Sequence, residues 1–253
     1  MSSMNVKDSV LLVTGASRAA GIGRALVNEA LKRGAKKVYA TARKAADLND
    51  LVAQDPDRIV PLVLDVTQAA HIQNVLHQAA DTQILINNAG SASQTGGLCA
   101  YDEATARHEM DVNYFGPLHL MNAFAPHLLK NGHGAIVNIL SISALYPSPG
   151  HVTYGAAKAA LYSATLAARI EARMQGWTLP IFGVYPGPID TDMARGLNVP
   201  KGSTTELATR VFDGMKQGTL DITTDALSDL FRTHLDKDPT PILAVKEAFF
   251  PSK

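Results

Sequence analysis

The sequence predicts an α/β protein: a doubly wound, mostly parallel sheet in a three-layer αβα sandwich, all in one domain. Three observations predict it. Short β-rich runs alternate with stretches whose apolar residues recur at helical spacing. The strand runs are apolar on both faces, as strands covered by helices on each side must be. The 253 residues contain no internal repeat and no low-complexity linker, and that length supports one sizeable core. Right-handed crossovers then wind the strands into one sheet. The domain spans 1–253, with a helical substrate-loop and C-terminal region from about 190 to 253.

The elements follow in order. "SVLLVT", from Ser9 to Thr14, is a buried strand. "IGRALVNEALKRG" is a helix with Ile22, Leu26, Val27, Ala30 and Leu31 on one face, stopped by Gly34. "KVYAT" (Lys37 to Thr41) is the second strand, and a helix through Leu48 and Leu51 follows it. "IVPLVLDV" is the third strand, "AAHIQNVLHQAA" the third helix and "QILINNAG" the fourth strand. A long helix runs from about Glu103 to Leu129, then the fifth strand "GAIVNIL", the helix "YGAAKAALYSATLAARIEARM" and the sixth strand "LPIFGVYPG". Beyond about Asn198, "TTELATRVFDGMKQG" and "TTDALSDLFRTHL" read as two helices, with no convincing strand after them.

Charge and composition exclude several function classes. Lys plus Arg and Asp plus Glu are 23 each, so the net charge is zero and nothing electrostatic points to nucleic acid or an anionic membrane. No stretch approaches the roughly 20 apolar residues of a membrane span. The start carries no signal-peptide pattern, so a cytoplasmic protein is expected. Cys99 is the only cysteine, which rules out an internal disulfide and a thiolate metal cluster. It reads as a small packing residue, and no metal is expected.

"TGASRAAGIGRAL" joins the first strand to the first helix. Glycines there let backbone N–H groups approach a pyrophosphate, whose charge the helix N-terminus favours. Alone such a turn is a weak signal; its place after the first strand of an alternating pattern strengthens it. The second strand ends in Ala42 and Arg43, where an acid would bond a ribose 2′-hydroxyl. A cation instead of an acid suits a 2′-phosphate. NADP(H) is therefore the preferred cofactor, with NAD(H) the alternative; the plainer reading of Arg43 and Lys44 is a solvated strand end. Asp65 fits the adenine edge and equally well the cap of a helix starting near Thr67.

These motifs and those that follow resemble the short-chain dehydrogenase/reductase family, of the single-domain Tyr-x-x-x-Lys type. They are "TGASRAAGIG", "LDVT", "NNAG", "DVNYFG", "NILSIS", "YGAAK" and "PGPIDT", in family order over about Ser9 to Met193. The resemblance implies a Rossmann-like NAD(P)-dependent enzyme acting on CH–OH and C=O groups. It also implies a small carbonyl or alcohol substrate. By the same resemblance Asn113, Ser141, Tyr154 and Lys158 are the catalytic residues; Ser141 lies thirteen residues before Tyr154, as the family's serine does. The implied cofactor contacts are Gly15, Ser17, Arg18, Gly21, Ile22 and Gly23 in the first loop and Arg43, Asp65 and Val66 at the adenine end. Asn88, Ala89, Gly90, Tyr154 and Lys158 follow, then Pro186, Gly187, Ile189 and Thr191 around the nicotinamide carboxamide. Ser143, Tyr146, His151, Tyr185, Met193 and Leu197 are expected to line the substrate pocket.

Three departures from the family pattern stand out. Gly15 is six residues before Gly21, so the loop carries two extra residues if "GIGRAL" keeps its place. The family's last strand before Asp-Gly-Gly is not found, leaving dimer or tetramer open for a homo-oligomer expected to associate through the long helices. "NVPKGSTTEL" reads as a lid-like stretch.

The chemistry fits the spacing. A free Tyr has a pKa of about 10. Lys158, one helical turn from Tyr154, is expected to lower it by its charge and to hold the nicotinamide ribose. Tyr154 then acts as acid in reduction and base in oxidation. Ser141 donates to the carbonyl oxygen, and Asn113 breaks its helix and holds a water linking Lys158 to solvent. Each residue alone has a plainer reading as helix surface or turn; the four in this order behind a phosphate loop do not. The expected activity is an NADPH-dependent carbonyl reductase, reversible as an alcohol dehydrogenase. Its alternatives are an NAD-preferring alcohol dehydrogenase and a non-catalytic NADP-binding sensor or scaffold. Enoyl reduction is disfavoured by the three-residue Tyr–Lys gap, and an epimerase by the lack of a second substrate domain.

Overall fold

The computed structural model describes residues 3–93, 99–100, 102–146, 150–195 and 198–234. Its strands are β1 (Val10–Val13), β2 (Lys37–Ala42), β3 (Ile59–Val63), β4 (Ile84–Asn87), β5 (Ala135–Ile139), β6 (Ile181–Tyr185) and β7 (Asp221–Thr223). They form one parallel sheet in the order β3-β2-β1-β4-β5-β6-β7. The chain winds outward from β1 to β3, then returns and winds the other way from β4. That reversal opens a crevice beyond the carboxyl ends of β1 and β4, the place such sheets bind ligands.

The helices are α1 (Ile22–Lys32), the short α2 (Asn49–Val52), α3 (Ala69–Gln78), α4 (Glu103–Met110), α5 (Gly116–Lys130), α6 (Val152–Met174), α7 (Thr204–Gln217) and α8 (Ala226–His234). Alternation along β1 sets the two core layers. Leu11 and Val13 pack with Leu26, Val27, Val211 and Phe212 on the α1–α7 side. Val10 and Leu12 pack with Leu120, Phe124 and Leu161 on the α5–α6 side. Pro61, which has no N–H to donate, sits in β3, an edge strand, where sheets tolerate it. Gly34 closes the turn after α1 at φ +84, a conformation that favours glycine.

One local feature follows the linear reading and another corrects it. The long helix predicted over about 103–129 is α4 and α5 joined by one π-helical turn, Asp111–Phe115, with Asn113 inside it. The tail holds a seventh strand as well as two helices. β7 lies between α7 and α8 and pairs with β6 from Gly183↔Asp221 to Tyr185↔Thr223. Three residues with one apolar side chain show no readable alternation; β7 is defined by its partner. Asp221 is held there by Arg169 Nη1 at 2.8 Å and by the Tyr185 hydroxyl at 2.9 Å. The lid-like stretch is half anchored. Gly202 exchanges backbone hydrogen bonds with Pro188 and Asp190, and the Ser203 hydroxyl accepts from the Glu206 amide at 3.0 Å to cap α7.

Candidate functional site

The first loop is built by backbone close approach. Thr14 Oγ1 accepts from the amides of Asn88 and Ala89, both at 2.9 Å, and Asn88 Nδ2 donates to the carbonyls of Thr14 and Gly15. Gly15 has φ +73, and a Cβ on it would lie 2.9 Å from Ala89 Cα. A Cβ on Gly23 would lie 2.4 Å from the Gly15 carbonyl oxygen. Neither position admits a side chain. The loop's extra length is taken up by a turn in which the Gly21 amide donates to the Arg18 carbonyl at 2.9 Å, so α1 still starts behind Gly21. Arg24 is buried and pairs with Asp50 while donating to the Ser17 carbonyl at 3.0 Å. The sequence reading passed over this brace, because an arginine inside a helix carries no local mark of its partner.

A cleft runs from this loop across the sheet's carboxyl edge. Gly15, Ser17, Arg18, Gly21, Ile22 and Gly23 line it, and so do Arg43, Asp65 and Val66. Asn88, Ala89, Gly90 and Thr191 of the predicted set line the same cleft, while Tyr154, Lys158, Pro186, Gly187 and Ile189 line the one beside it. Asp65 Oδ1 accepts from the Thr67 amide at 3.0 Å and the Thr67 hydroxyl at 2.7 Å. It shapes a turn rather than the helix end, since α3 starts at Ala69 with no side-chain cap. Burial pushes the Asp65 pKa up, but the Thr67 bonds and the Arg43 charge outweigh it and the net shift is down.

A second cleft adjoins the first, sharing Ile22, Asn88, Gly90, Thr191 and Met193 among its walls. Ser141, Tyr154 and Lys158 lie on it, with Ser143, Tyr146 and His151 nearby and Pro186, Gly187 and Ile189 opposite. Ser141 follows β5 and accepts from the Ser143 amide at 3.0 Å, and its hydroxyl is near enough to pull the Tyr154 pKa down. Lys158 is buried, donates to the Ile139 carbonyl at 2.8 Å, and has its Nζ 5.8 Å from the centre of the Tyr154 ring. The His151 ring stands edge-on to Tyr154 at 6.4 Å. Asn113 lines neither cleft. Its side chain is fully buried behind them, accepting from the Ser91 amide at 3.2 Å and donating to the carbonyls of Ser91 and Glu109.

Two expectations are corrected here. Tyr185 does not reach the pocket. It is 1% exposed, its ring packs edge-on to Tyr162 in the α5–α6 layer, and its hydroxyl donates to Asp221. Its position on β6 turns it to the face opposite the cleft. The Tyr154 phenol is not lowered: burial, the largest influence, raises its pKa to about 12, against the pull of Ser141 and with the push of the Glu109 charge. Burial also lowers Lys158 to about 8. Loss of water outweighs the pull of Ser141 on the phenol. Leu197 lies outside the described residues.

Other wall residues were invisible in the linear sequence. Leu227 and Phe231 of α8 close the second cleft. Phe231 packs on Tyr146, ring centres 4.8 Å apart. Asp225, buried ahead of α8, accepts from the Gly187 amide at 2.8 Å and from the Ser228 amide at 2.9 Å. It ties the loop after β6 to the helix that walls the pocket. Among the described residues no helix is long and apolar enough to cross a membrane.

The arrangement can pass a proton. A protonated phenol stands with a second hydroxyl and an amine along a mostly apolar pocket that opens onto a glycine-lined cleft. Comparison with known proteins gives the family. The sequence model of the short chain dehydrogenase family matches residues 9–201. The chain is 34% identical over 203 residues to the 3-oxoacyl-(acyl-carrier-protein) reductase FabG of Escherichia coli, covering 77% of this chain and 79% of that protein. It is 33% identical over 197 residues to an uncharacterized oxidoreductase of Staphylococcus epidermidis, covering 76% and 82%. Among solved structures, a short chain dehydrogenase from Burkholderia cenocepacia in complex with NADP superposes with a TM-score of 0.87 at 37% identity. That match covers 96% of this chain and 99% of the other. A short-chain dehydrogenase from Sphingobium yanoikuyae in complex with NADPH gives 0.79 at 26% identity, covering 93% and 95%.

Proposed function

The chain belongs to the short-chain dehydrogenase family, and on that premise we propose that it is an NADP(H)-dependent oxidoreductase that reduces the carbonyl of a small ketone or aldehyde and, in reverse, oxidises the alcohol. The observation that carries the reading is the meeting of Tyr154, Ser141 and Lys158 where an apolar pocket joins the long cleft. The cleft fits a dinucleotide. Bare backbone at Gly15 and Gly23 brings the loop against the start of α1, whose first amides suit a pyrophosphate. Arg43 and Arg18 line the end where a 2′-phosphate belongs, and β2 ends in Ala42 with no acid to exclude one. The NADP and NADPH in the Burkholderia and Sphingobium relatives support the same choice.

Bound nicotinamide supplies the hydride. Tyr154 gives its proton to the carbonyl oxygen, and burial keeps the phenol protonated at neutral pH, the form reduction requires. Ser141, on the same pocket as that hydroxyl, steadies the same oxygen. Lys158, anchored on Ile139, offers its positive charge to the ribose and to the phenolate left behind. Ile142, Tyr146, Met193, Leu227 and Phe231 exclude water and favour apolar substituents on the carbonyl.

Purified protein mixed with NADPH and a panel of ketones and aldehydes is expected to consume reduced nicotinamide. Tight cofactor binding with no turnover on any of them would favour a sensor instead. Arg43→Asp is expected to reduce the preference for NADPH over NADH by about ten- to a hundred-fold, the worth of one charged hydrogen bond. The ratio of kcat/KM for the two cofactors measures it, and an unchanged ratio would remove Arg43 from the phosphate site.

A further inference from the structure

We propose that Glu109 is a positioning residue for Tyr154: a single buried carboxylate that ties the loop after β4 to the first turn of α6. The proposal rests on the reading of Tyr154 as the proton donor. Glu109 belongs to none of the motifs of the family resemblance. It is 0% exposed, one turn ahead of Asn113 on α4. Oε1 accepts from the Ser93 amide at 2.6 Å and the Ser93 hydroxyl at 2.9 Å, and Oε2 accepts from the Thr153 hydroxyl. Ser93 lies in the same segment after β4 as Asn88, Ala89 and Gly90, which line the clefts. Thr153 immediately precedes Tyr154.

Three physical points make this a built device. First, burying a carboxylate costs several kcal/mol unless it is paired, and no salt bridge reaches Glu109 among the described residues. A leucine of similar size would fill the space without that cost, so the three accepted hydrogen bonds are what the carboxylate supplies. Second, α6 begins at Val152 behind His151, which makes no side-chain cap bond. The first turn of a helix is its least secured part, and Tyr154 lies in it. The bond from Thr153 to Glu109 secures that turn from outside the helix. Third, Glu109 and Asn113 work as a pair. Asn113 grips the backbone of Ser91 from both sides and donates to the Glu109 carbonyl at 2.9 Å, while the Glu109 side chain grips Ser93. Two residues one helical turn apart thus hold alternate residues of the same loop.

The titratable groups facing the phenol are Glu109 from α4, Lys158 from α6 and His151 just ahead of α6, with the neutral Ser141 beyond β5. Of these, Glu109 opposes ionisation of Tyr154. It therefore favours the protonated acid while fixing where that acid stands.

Three variants of the full-length protein test the assignment: Glu109→Ala, Glu109→Gln and Thr153→Val. Glutamine can keep its carbonyl on the Ser93 amide and donate to the Thr153 hydroxyl, which is able to accept. Glu109→Ala is expected to lower kcat for carbonyl reduction by about ten- to a hundred-fold, the scale of a displaced reacting group, with the KM for NADPH within about two-fold of wild type. Glu109→Gln is expected to recover most of kcat but to lose reduction at a lower pH than wild type, because the charge that held the proton on Tyr154 is gone. Thr153→Val is expected to lower kcat without moving the pH profile. Hydrogen–deuterium exchange of the segments containing Ser93 and Thr153 needs no turnover; it is expected to quicken in Glu109→Ala and stay slow in Glu109→Gln. If Glu109→Ala does not fold, Glu109→Gln and Thr153→Val carry the same readouts. Wild-type kcat in Glu109→Ala or in Thr153→Val, or a wild-type pH profile in Glu109→Gln, overturns the assignment. If wild-type protein reduces no carbonyl, the oxidoreductase reading fails and exchange alone decides. Unchanged exchange in Glu109→Ala then overturns the tie, and quickened exchange restored by glutamine upholds it.

Discussion

Replacing Tyr154 with phenylalanine is expected to slow carbonyl reduction by about 10²–10⁴-fold, the range of a lost general acid. NADPH should still bind with little change. The substitution removes one oxygen and leaves the ring, its contact with His151 and its place in the first turn of α6. Ser141 keeps the Ser143 amide as its donor, so the fold loses little. Steady-state rates with NADPH and the best ketone of the panel measure the first effect, and fluorescence titration with NADPH the second. Full activity in this variant would mean that the proton comes from elsewhere and that the assignment of Tyr154 is wrong.

Replacing Lys158 with methionine is expected to move activity and stability in opposite directions. Turnover should collapse, because the ribose and the phenolate lose their cation. The cofactor-free fold should become more stable at pH 7. Lys158 is 4% exposed, and burial lowers its folded pKa to about 8 from 10.5. Below pH 8 the lysine is charged in both the folded and unfolded states, and the fold carries the full cost of burying that charge. Between about pH 8 and 10.5 the unfolded chain binds the proton and the folded chain does not. The stability of the wild type therefore rises with pH across that window. The gap corresponds to roughly 3 kcal/mol. Methionine keeps most of the apolar stem and removes the charge, at the cost of the bond to Ile139. A net gain of about 1–3 kcal/mol at pH 7 is expected, shrinking toward zero by pH 10. Tyr154, whose folded pKa is raised from 10.0 to about 12, acts in the opposite direction only above pH 10 and leaves the window clear. Urea unfolding of both proteins at pH 7, 8, 9 and 10 would show the converging curves. Parallel curves would mean that the lysine is not buried as a charge. Stability given up for function in this way is what an active site requires when a cation must wait in a dry place.

The parts of the molecule that were legible are those in which neighbours in sequence are neighbours in space. Helix α1 shows its buried face at Leu26, Val27 and Ala30 and its stop at Gly34 because an amphipathic helix needs only its own spacing to declare itself. Asn113 interrupts its helix where the motif around it suggests, and the glycines at 15, 21 and 23 bracket a turn whose backbone leaves no room for a side chain. Arg43 and Asp65 reach one cleft because both leave the carboxyl ends of adjacent parallel strands.

The remainder depended on partners far away in the chain. β7 is a strand only because β6 lies beside it. Tyr185 turns to the core because of the register of β6, and Asp221 gives its hydroxyl a reason to stay there. Leu227 and Phe231 close a pocket because Asp225 fastens α8 to the loop at Gly187. Glu109 reads in sequence as one more charge on a helix, and only the approach of Ser93 and Thr153 makes it a buried tie. The sequence by itself determined the order of the first six strands and their helices, the glycine loop, and the Tyr154–Lys158 step along one helix face, since each is a matter of local spacing and backbone permission. Only the tertiary structure decided how acidic that phenol is, which side chains wall the pocket and what holds the loop against α6. Those properties arise from the removal of water and from the direction in which side chains point, and both are set by residues dozens to more than a hundred positions away.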